Sequence, residues 1–366
     1  LGETATWDMN LIEKSARIAA TEASAYGIHW TFAPMVDIGR DPRWGRVMEG
    51  AGEDTYLGTL VGKARVKGFQ GNGLGNKDAV MACAKHFAAY GAAVGGRDYN
   101  SVDMSLRQLH ETYLPPFKAV SDMGVATFMN SFNDINGIPA TGNKYLQRDL
   151  LKGAWNFQGF VVSDWGSIGE MIPHGFAKDN KDAALKAIIA GSDMDMESRS
   201  YINHLAELVK EGKVDIQLVD DAVRRILTKK YELGLFDDPY RFINEKREKE
   251  QANNPEHRKF AREIGAKSIV LLKNENQLLP LSPTTKKVAI IGPFAKATVE
   301  NHGFWSIAFP DDSQRIVTQF DGIKAQLNKN SELLYAKGCN ANDNDKSLFA
   351  EAVETAKKAD VVIMTL

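Results

Sequence analysis

The chain has 366 residues, a formal net charge of −2, 43% hydrophobic residues and 25% charged residues, which is the composition of an ordinary globular protein with enough apolar material for two domains. A near-zero net charge without a long lysine or arginine block provides no electrostatic footprint for nucleic acid, and no apolar run approaches the roughly 20 residues that span a bilayer. We therefore expect neither nucleic-acid binding nor membrane insertion.

From residue 1 to about 240, amphipathic stretches alternate with short apolar runs, which is the pattern of βα units around a parallel sheet. The spacing predicts helices over residues 11–26, 54–69, 105–123, 144–155 and 216–231. The apolar runs predict strands over residues 29–38, 80–86, 125–132, 159–164 and 187–196. About five strands are fewer than the eight of a closed (β/α) barrel. We therefore expect an incomplete TIM-like (β/α) barrel whose missing strands precede Leu1, in a chain that is a piece of a longer protein.

Residues 245–256 are charged and almost devoid of apolar side chains, which is typical of a linker or an exposed loop. Beyond them the alternation of helices and strands resumes, with predicted helices over residues 317–327 and 347–358 and predicted strands over residues 288–291, 332–335 and 361–364. The predicted fold class is therefore α/β throughout. We predict a partial (β/α) barrel domain over residues 1–240, a linker over 241–262, and the N-terminal part of a truncated α/β sandwich domain over 263–366.

Asp164 is the most informative residue for function, because it ends an apolar run that begins at Gly159. A strand buried on both faces is continuously apolar, and the residues just beyond the carboxyl end of such a strand build the active site of a barrel. A carboxylate followed by Trp165 and Gly166 suits a nucleophile beside an aromatic sugar platform. The alternative is that Asp164 caps the helix that follows.

Lys85 and His86 are adjacent at the end of the predicted strand 80–86. Neighbouring side chains on a strand point to opposite faces, so both enter one pocket only if a bulge or an unusual peptide bond interrupts the regular geometry. In that case an ammonium group and an imidazole can grip the hydroxyl groups of a polyol. The alternative is one inward and one outward side chain, with His86 packed in the core.

Arg43, Trp44 and Arg46 lie in a Pro- and Gly-containing loop after the predicted strand 29–38. A guanidinium group donates hydrogen bonds in a fixed fork while an indole offers an apolar face, so this loop suits ligand binding. The alternative is that ion pairs with nearby carboxylates such as Glu49 anchor the loop.

Other patterns indicate no cofactor. The glycine-rich residues 71–75 lack the ending of a phosphate loop and predict a plain turn. Asp193 and Asp195 have no third ligand at a useful spacing, so we expect no metal site. Cys83 and Cys339 provide neither a disulfide framework nor a CxxC metal motif.

Residues 33–46, 84–100 and 159–166, taken together, resemble glycoside hydrolase family 3. The resemblance extends over essentially the whole chain in the family's order, and it is greatest to the bacterial periplasmic β-glucosidases. It implies a barrel-like domain followed by an α/β sandwich domain, and a retaining mechanism. Asp164 matches the catalytic nucleophile and Trp165 the aromatic wall beside it, while Arg46, Lys85 and His86 match residues that hold the hydroxyl groups of the non-reducing terminal sugar.

The resemblance further implies an exo-acting enzyme that removes terminal β-D-glucosyl residues from β-linked oligosaccharides or from aryl and alkyl β-glucosides, in the periplasm or after secretion. Xylose is the alternative sugar. The family's acid/base glutamate is expected beyond residue 366, so we expect the isolated chain to be inactive. Phe132 stands where many members have a tyrosine.

Two hypotheses from other classes stay open. The chain is a sugar-binding fragment without catalysis, or it is a barrel aldolase or lyase that uses Lys85 as a Schiff-base amine. The lyase hypothesis leaves Asp164, Trp165 and Arg46 without a role.

Overall fold

The structure is a computed structural model that describes residues 1–252, 254–282, 284–303, 305–306 and 316–366. These residues form two compact units, Leu1–Val270 and Leu271–Leu366. Of the predicted linker over residues 241–262, Asn253 lies outside the described residues. Among the described residues, every helix is too short or too polar to cross a membrane.

The first unit is built around parallel strands. In chain order its strands are β1 (Cys83–Phe87), β2 (Thr127–Asn130), β3 (Asp134–Ile135), β4 (Ile138–Pro139) and β5 (Phe160–Val162). β1, β2 and β5 form a three-stranded parallel sheet in that order, while β3 and β4 form an antiparallel pair. Single bridges extend the parallel arc on both sides, from Trp30 to Met81 and from Met194 to Val162. This arc, surrounded by helices, is the incomplete (β/α) barrel that the sequence predicts.

Four of the described helices of the first unit begin after a capping carboxylate. The side chains of Asp8, Asp54, Asp179 and Asp215 each accept a backbone N–H in the first turn of the helix that follows. The helices are α1 (Met9–Ala25), α2 (Thr55–Gln70), α3 (Leu106–Gln108), α4 (Pro115–Asp122), α5 (Ser167–Glu170), α6 (Asn180–Ala190), α7 (Ser200–Lys210), α8 (Ile216–Glu232), α9 (Glu245–Ala252) and α10 (Pro255–Lys267), with π-helical turns over Leu109–Tyr113 and Tyr145–Ala154.

The core of this unit lies between the sheet and its helices. Its centre is aromatic, with Phe87 in T-shaped contact with both Phe117 and Phe128 at centroid distances of 5.2 and 5.3 Å. All three rings are fully buried. Their packing fixes β1 and β2 against α4. Because the two strands are parallel, their carboxyl ends lie at the same edge of the sheet.

Two predicted strands differ from the structure. Residues 187–190 belong to α6, which ends at Gly191 with a φ of 116°, and only Met194 bridges to the sheet. The prediction was wrong there because a short apolar run does not distinguish a buried strand from a buried helix. Over residues 29–38 the structure has isolated bridges at Trp30 and Met35 instead of a continuous strand, and Pro34 between them has no N–H to donate to a ladder.

The prediction of a linker or exposed loop over residues 245–256 is also wrong, because residues 245–252 form α9. The Glu, Lys, Arg, Gln and Ala residues of this segment are good helix formers. Arg247 of α9 donates to Ser24 Oγ at 2.6 Å and to the Lys77 carbonyl at 2.8 Å. Phe260 of α10 packs with Leu11 of α1. These contacts attach both helices to the first unit. The domain boundaries drawn from the sequence stay a prediction.

The second unit is a small α/β layer. Its strands β6 (Lys287–Ile291), β7 (Glu332–Ala336) and β8 (Val361–Met364) are parallel in the order β7-β6-β8. Its helices are α11 (Gln319–Gln326) and α12 (Phe349–Lys357). Buried Ala289, Ile291 and Ala336 pack against Ala352 and Ala356 of α12. The predicted α/β class is therefore confirmed in both units.

Candidate active site

Asp164 lies just beyond the carboxyl end of β5 and is buried, with 7% of its surface exposed. Its Oδ1 accepts the N–H of Trp165 at 2.7 Å. Its Oδ2 is buried and accepts no hydrogen bond within the described part of the chain. The capping alternative is wrong, because α5 begins after Gly166, which adopts a left-handed φ of 70°, and no side chain caps that helix.

His86 faces Asp164 from β1. Its Nε2 lies 3.5 Å from Asp164 Oδ2, and its Nδ1 lies 2.8 Å from Asp37 Oδ2, which also accepts the His86 backbone N–H at 2.8 Å. Both contacts to Asp37 are buried, so this carboxylate fixes the orientation of the imidazole. The sequence indicated no role for Asp37, because it lies 49 positions from His86 and no local pattern joins them.

The backbone at Lys85 and His86 departs from regular strand geometry, as the functional interpretation of this pair requires. The pairing register between β1 and β2 shifts between Ala84 and Phe87, and the Lys85–His86 peptide bond is cis. Lys85 is largely buried, and burial lowers its pKa, with Arg46 acting in the same direction. The Asp164 carboxylate opposes this shift, so the Lys85 ammonium lies in the electrostatic field of Asp164.

Arg46 combines the two interpretations of its loop. Its Nε and Nη2 form a bidentate ion pair with Glu49 at 2.7 and 3.0 Å, which anchors the loop. The guanidinium also lies 5.7 Å from the centroid of the Tyr90 ring, and Arg46 is one of the cations that lower the pKa of Asp164. Arg46 can therefore anchor its loop through Glu49 and still act on the charge of Asp164.

The charges around Asp164 act in opposite directions. Burial raises the pKa of its carboxyl, whereas His86, the N–H of Trp165, Lys85 and Arg46 each lower it. The cations therefore offset only part of the cost of burying an ionised carboxylate, and the pKa of Asp164 stays above its usual value of 3.8. The structure therefore places His86 within 3.5 Å of Asp164 and brings Arg46 and Lys85 close enough to act on its charge. The backbone of Trp165 binds the carboxylate, and its side chain is 64% exposed.

Glu170 is a residue of this site that the sequence interpretation missed. Burial raises its pKa to about 7, with a further contribution from the Asp164 carboxylate. Its Oε2 is buried and accepts no hydrogen bond from any described residue. From the sequence it was indistinguishable from an ordinary acidic residue in the first turn of a helix.

An aromatic layer lies behind His86. Tyr90 contacts the imidazole edge-on at 5.1 Å and contacts Trp44 at 5.2 Å. Phe132 joins the same buried cluster, and Tyr99 packs on both Tyr90 and Phe132. These rings shield one side of the pocket from water.

Asp193 and Asp195 have structural roles. Asp193 accepts from Lys152 Nζ at 2.5 Å and from the Val161 N–H at 2.8 Å. Asp195 accepts the backbone N–H groups of Ser198 and Tyr201. Among the described residues, no three His, Cys, Asp or Glu side chains are grouped as metal ligands.

Known proteins are similar to this chain in both of its units. Residues 1–229 match the family model described as Glycosyl hydrolase family 3 N terminal domain, and residues 269–366 match the corresponding C-terminal domain. The chain is 41% identical to a periplasmic β-glucosidase of Salmonella typhimurium, over 99% of the chain and 50% of that protein. It is 37% identical to a β-xylosidase of Formosa agariphila, over 99% of the chain and 52% of that protein.

A solved structure of a β-glucosidase from Listeria innocua in complex with isofagomine superposes with a TM-score of 0.93 at 38% identity, covering 100% of this chain and 50% of that one. A mutant of the Listeria protein in complex with laminaribiose superposes with a TM-score of 0.92. The chain thus spans about half the length of the relatives it matches.

Proposed function

The chain belongs to glycosyl hydrolase family 3, and from this membership we propose that it supplies the nucleophile and the terminal-sugar pocket of a retaining exo-β-glucosidase. The substrates would be β-linked oligosaccharides or aryl and alkyl β-glucosides, cleaved at the non-reducing end. Among the relatives, the Salmonella protein is named a periplasmic β-glucosidase, which supports this substrate class and a periplasmic or secreted location.

The observation that carries the proposal is the Oδ2 atom of Asp164, which accepts no hydrogen bond from any residue that the structure describes. This atom is buried, it lies 3.5 Å from His86 Nε2, and Lys85 and Arg46 favour its charged form. A nucleophilic carboxylate needs an oxygen that is ionised and not consumed by hydrogen bonds to its own chain. In the first step Asp164 Oδ2 bonds to the anomeric carbon as the bond to the leaving oxygen breaks. In the second step water cleaves the resulting ester and releases the sugar.

The remaining roles follow from the same pocket. Arg46, Lys85 and His86 donate hydrogen bonds to the hydroxyl groups of the terminal sugar, and Trp165 provides the aromatic wall. The proton donor to the leaving oxygen must be a second carboxyl group, about 5 Å from the first in retaining enzymes. Because the chain spans about half the length of its relatives, we place this glutamate outside residues 1–366 and expect the isolated chain to be catalytically defective.

The alternative sugar is xylose, which the match to the Formosa β-xylosidase supports. Both sugars share the ring hydroxyl groups that the cations would hold, and they differ in the exocyclic hydroxymethyl group of glucose. Rates of inactivation by matched glucosyl and xylosyl reagents separate the two.

The test uses the longer protein of which we expect this chain to be a part, here called the parent protein. It is inactivated by an activated 2-deoxy-2-fluoro-β-glucoside and then subjected to peptide mass analysis. We expect one fluoroglucosyl group per chain, attached to Asp164. The fluorine atom slows both formation and hydrolysis of the ester, whereas the activated leaving group speeds its formation, so the ester accumulates. Asp164→Asn is the matched control and should remain unlabelled. Attachment to another residue would overturn the mechanism, and glucose binding without any label would select the sugar-binding alternative.

A further inference from the structure

Residues 95–100 belong to one of the segments that resemble the family, yet none of them has been given a contact with the substrate above. The loop is held tightly against the Arg46 loop. A Cβ at Gly96 would lie 2.8 Å from the backbone nitrogen of Trp44, and Gly96 has a φ of 67°, so only glycine fits this close approach. The Trp44 indole N–H donates to Asp98 Oδ1 at 2.8 Å. The loop is therefore fixed in place on both sides of Arg97.

Tyr99 leaves this loop in an uncommon backbone conformation. Its φ is 64°, in the left-handed region that bulky residues rarely adopt. Such conformations persist where the surrounding structure imposes them, and they are concentrated at binding and catalytic sites.

One side of the Tyr99 ring packs on Phe132 and Tyr90 of the aromatic layer. Its centroid lies 4.3 Å from that of Phe132 with an interplanar angle of 35°, and 6.2 Å from that of Tyr90 at 89°. Tyr90 in turn contacts His86 at 5.1 Å. In spite of this support, 45% of the Tyr99 surface is exposed. A rigidly supported ring with one open side is suited to packing against a ligand.

The hydroxyl group of Tyr99 lies in the field of the catalytic carboxyl. Burial raises the pKa of Tyr99, and the carboxylates of Glu170, Asp164 and Asp98 raise it further, while Arg46 opposes them. The phenol therefore stays protonated at neutral pH and is available as a hydrogen-bond donor. Phe132, directly beneath, has no polar atom, so Tyr99 is the hydroxyl-bearing member of this stacked pair.

We propose that Tyr99 is a substrate-contacting residue of the pocket, with its ring against the sugar and its hydroxyl donating a hydrogen bond to one sugar hydroxyl beside Asp164. This inference rests on the proposed glycosidase function. It adds a contact on the side of the pocket formed by residues 95–100, separate from Arg46, Lys85 and His86.

The first experiment compares wild type and Tyr99→Phe in the parent protein, with glucose as a competitive inhibitor. Loss of one hydrogen bond should weaken glucose binding by about 3- to 10-fold, with kcat changed less than KM and the midpoint of urea unfolding unchanged. Tyr99→Leu removes the ring as well and should weaken binding by a further factor of about 3 to 10. Tyr56→Phe, an exposed tyrosine on α2, is the matched control and should bind glucose as wild type does.

The second experiment identifies the hydrogen bond. Inhibition by 2-, 3-, 4- and 6-deoxyglucose is measured with wild type and with Tyr99→Phe, and the penalty of the substitution should vanish for one of these sugars only. Adding Phe132→Tyr to Tyr99→Phe returns a phenol to the stacked pair and should restore part of the affinity.

An equal penalty for every deoxy sugar, or no penalty with glucose, would overturn the proposal. Fluoroglucoside labelling of Asp164 is run on the same preparations. If wild type is labelled while Tyr99→Phe binds glucose normally, the role of Tyr99 fails and the proposed function stands. If wild type is not labelled, the proposed function itself fails.

Discussion

Glu170 and Asp164 place two carboxyl groups in one partly buried environment, with Glu170 on the helix that follows Asp164. The pKa of Glu170 rises from its usual 4.5 to about 7, mainly through burial and then through Asp164. Between these two pH values the folded state binds more protons than the unfolded state, so the free energy of unfolding falls as the pH rises through this window. Glu170→Gln removes the titration. We expect the stability of the variant relative to wild type to increase between pH 5 and pH 8, measured by urea unfolding.

Glu211 provides the control for this prediction. It is exposed and its pKa is lowered to about 2 by hydrogen bonds from Lys181 and Lys213. A lowered pKa contributes stability that is lost only as the pH falls below the usual range. Glu211→Gln should therefore change stability equally at pH 5 and pH 8. The same pH-independent shift in Glu170→Gln would mean that its carboxyl does not titrate in this window.

At the level of single residues, the sequence located the groups that follow strands and missed those that act across the fold. Asp164 was identified as a candidate because it ends an apolar run. Asp37 was missed because its contact with His86 joins two segments through a buried carboxylate, and no periodicity marks such a contact. Glu170 was missed because its pKa depends on burial, which a single polar residue in a short helix does not reveal.

A buried ion pair stabilises β5, the strand that precedes Asp164. Lys152, on the π-helical turn Tyr145–Ala154, contacts Asp193 at 2.5 Å, and the two side chains are 5% and 0% exposed. Asp193 Oδ2 also accepts the Val161 N–H of β5 at 2.8 Å. The pair therefore joins a helix, a strand and the segment after α6. Burial lowers the pKa of Lys152 to about 8, while Asp193 opposes that shift.

Removing one partner of this pair should be costly. Lys152→Met leaves the Asp193 carboxylate buried without a counterion, and we expect a loss of about 3–5 kcal/mol in the free energy of unfolding. Lys144→Met is the matched control, because its pair with Asp149 is 63% and 52% exposed and such pairs contribute about 0–1 kcal/mol. The double variant Lys152→Met with Asp193→Asn should recover part of the loss. Equal urea midpoints for the two single variants would contradict the prediction.

At the level of elements, agreement was best where a cap and a long amphipathic pattern coincide. α1, α2 and α8 each begin after an Asp cap and run for at least four turns, and the predicted helices matched them closely. The predicted strand over residues 187–196 failed because alanine- and isoleucine-rich residues suit a buried helix as well as a strand. In this case the helix cap at Asp179 was the distinguishing signal.

For the whole molecule, the sequence predicted two α/β regions, and the structure has two compact units with separate apolar clusters among the described residues. Where the first region ends was harder to predict, because α9 consists mostly of charged residues and buries none of its residues. Its attachment through Arg247 depends on carbonyl and hydroxyl groups of residues far earlier in the chain. Composition alone therefore suggested a linker where the structure has a docked helix.

The proposal that the proton donor lies outside residues 1–366 leads to a prediction about leaving groups. A nucleophile without its general acid can still expel a weakly basic leaving group such as 2,4-dinitrophenolate, whereas methoxide needs protonation in the transition state. For each substrate we compare kcat/KM of the isolated chain with that of the parent protein. We expect this ratio to be about 10² to 10⁴ times smaller for methyl β-glucoside than for 2,4-dinitrophenyl β-glucoside. Asp164→Asn in the isolated chain should abolish both activities. Hydrolysis of both substrates at the parent's rates would show that the chain already contains its proton donor, and Glu170 would then be the first carboxyl group to substitute.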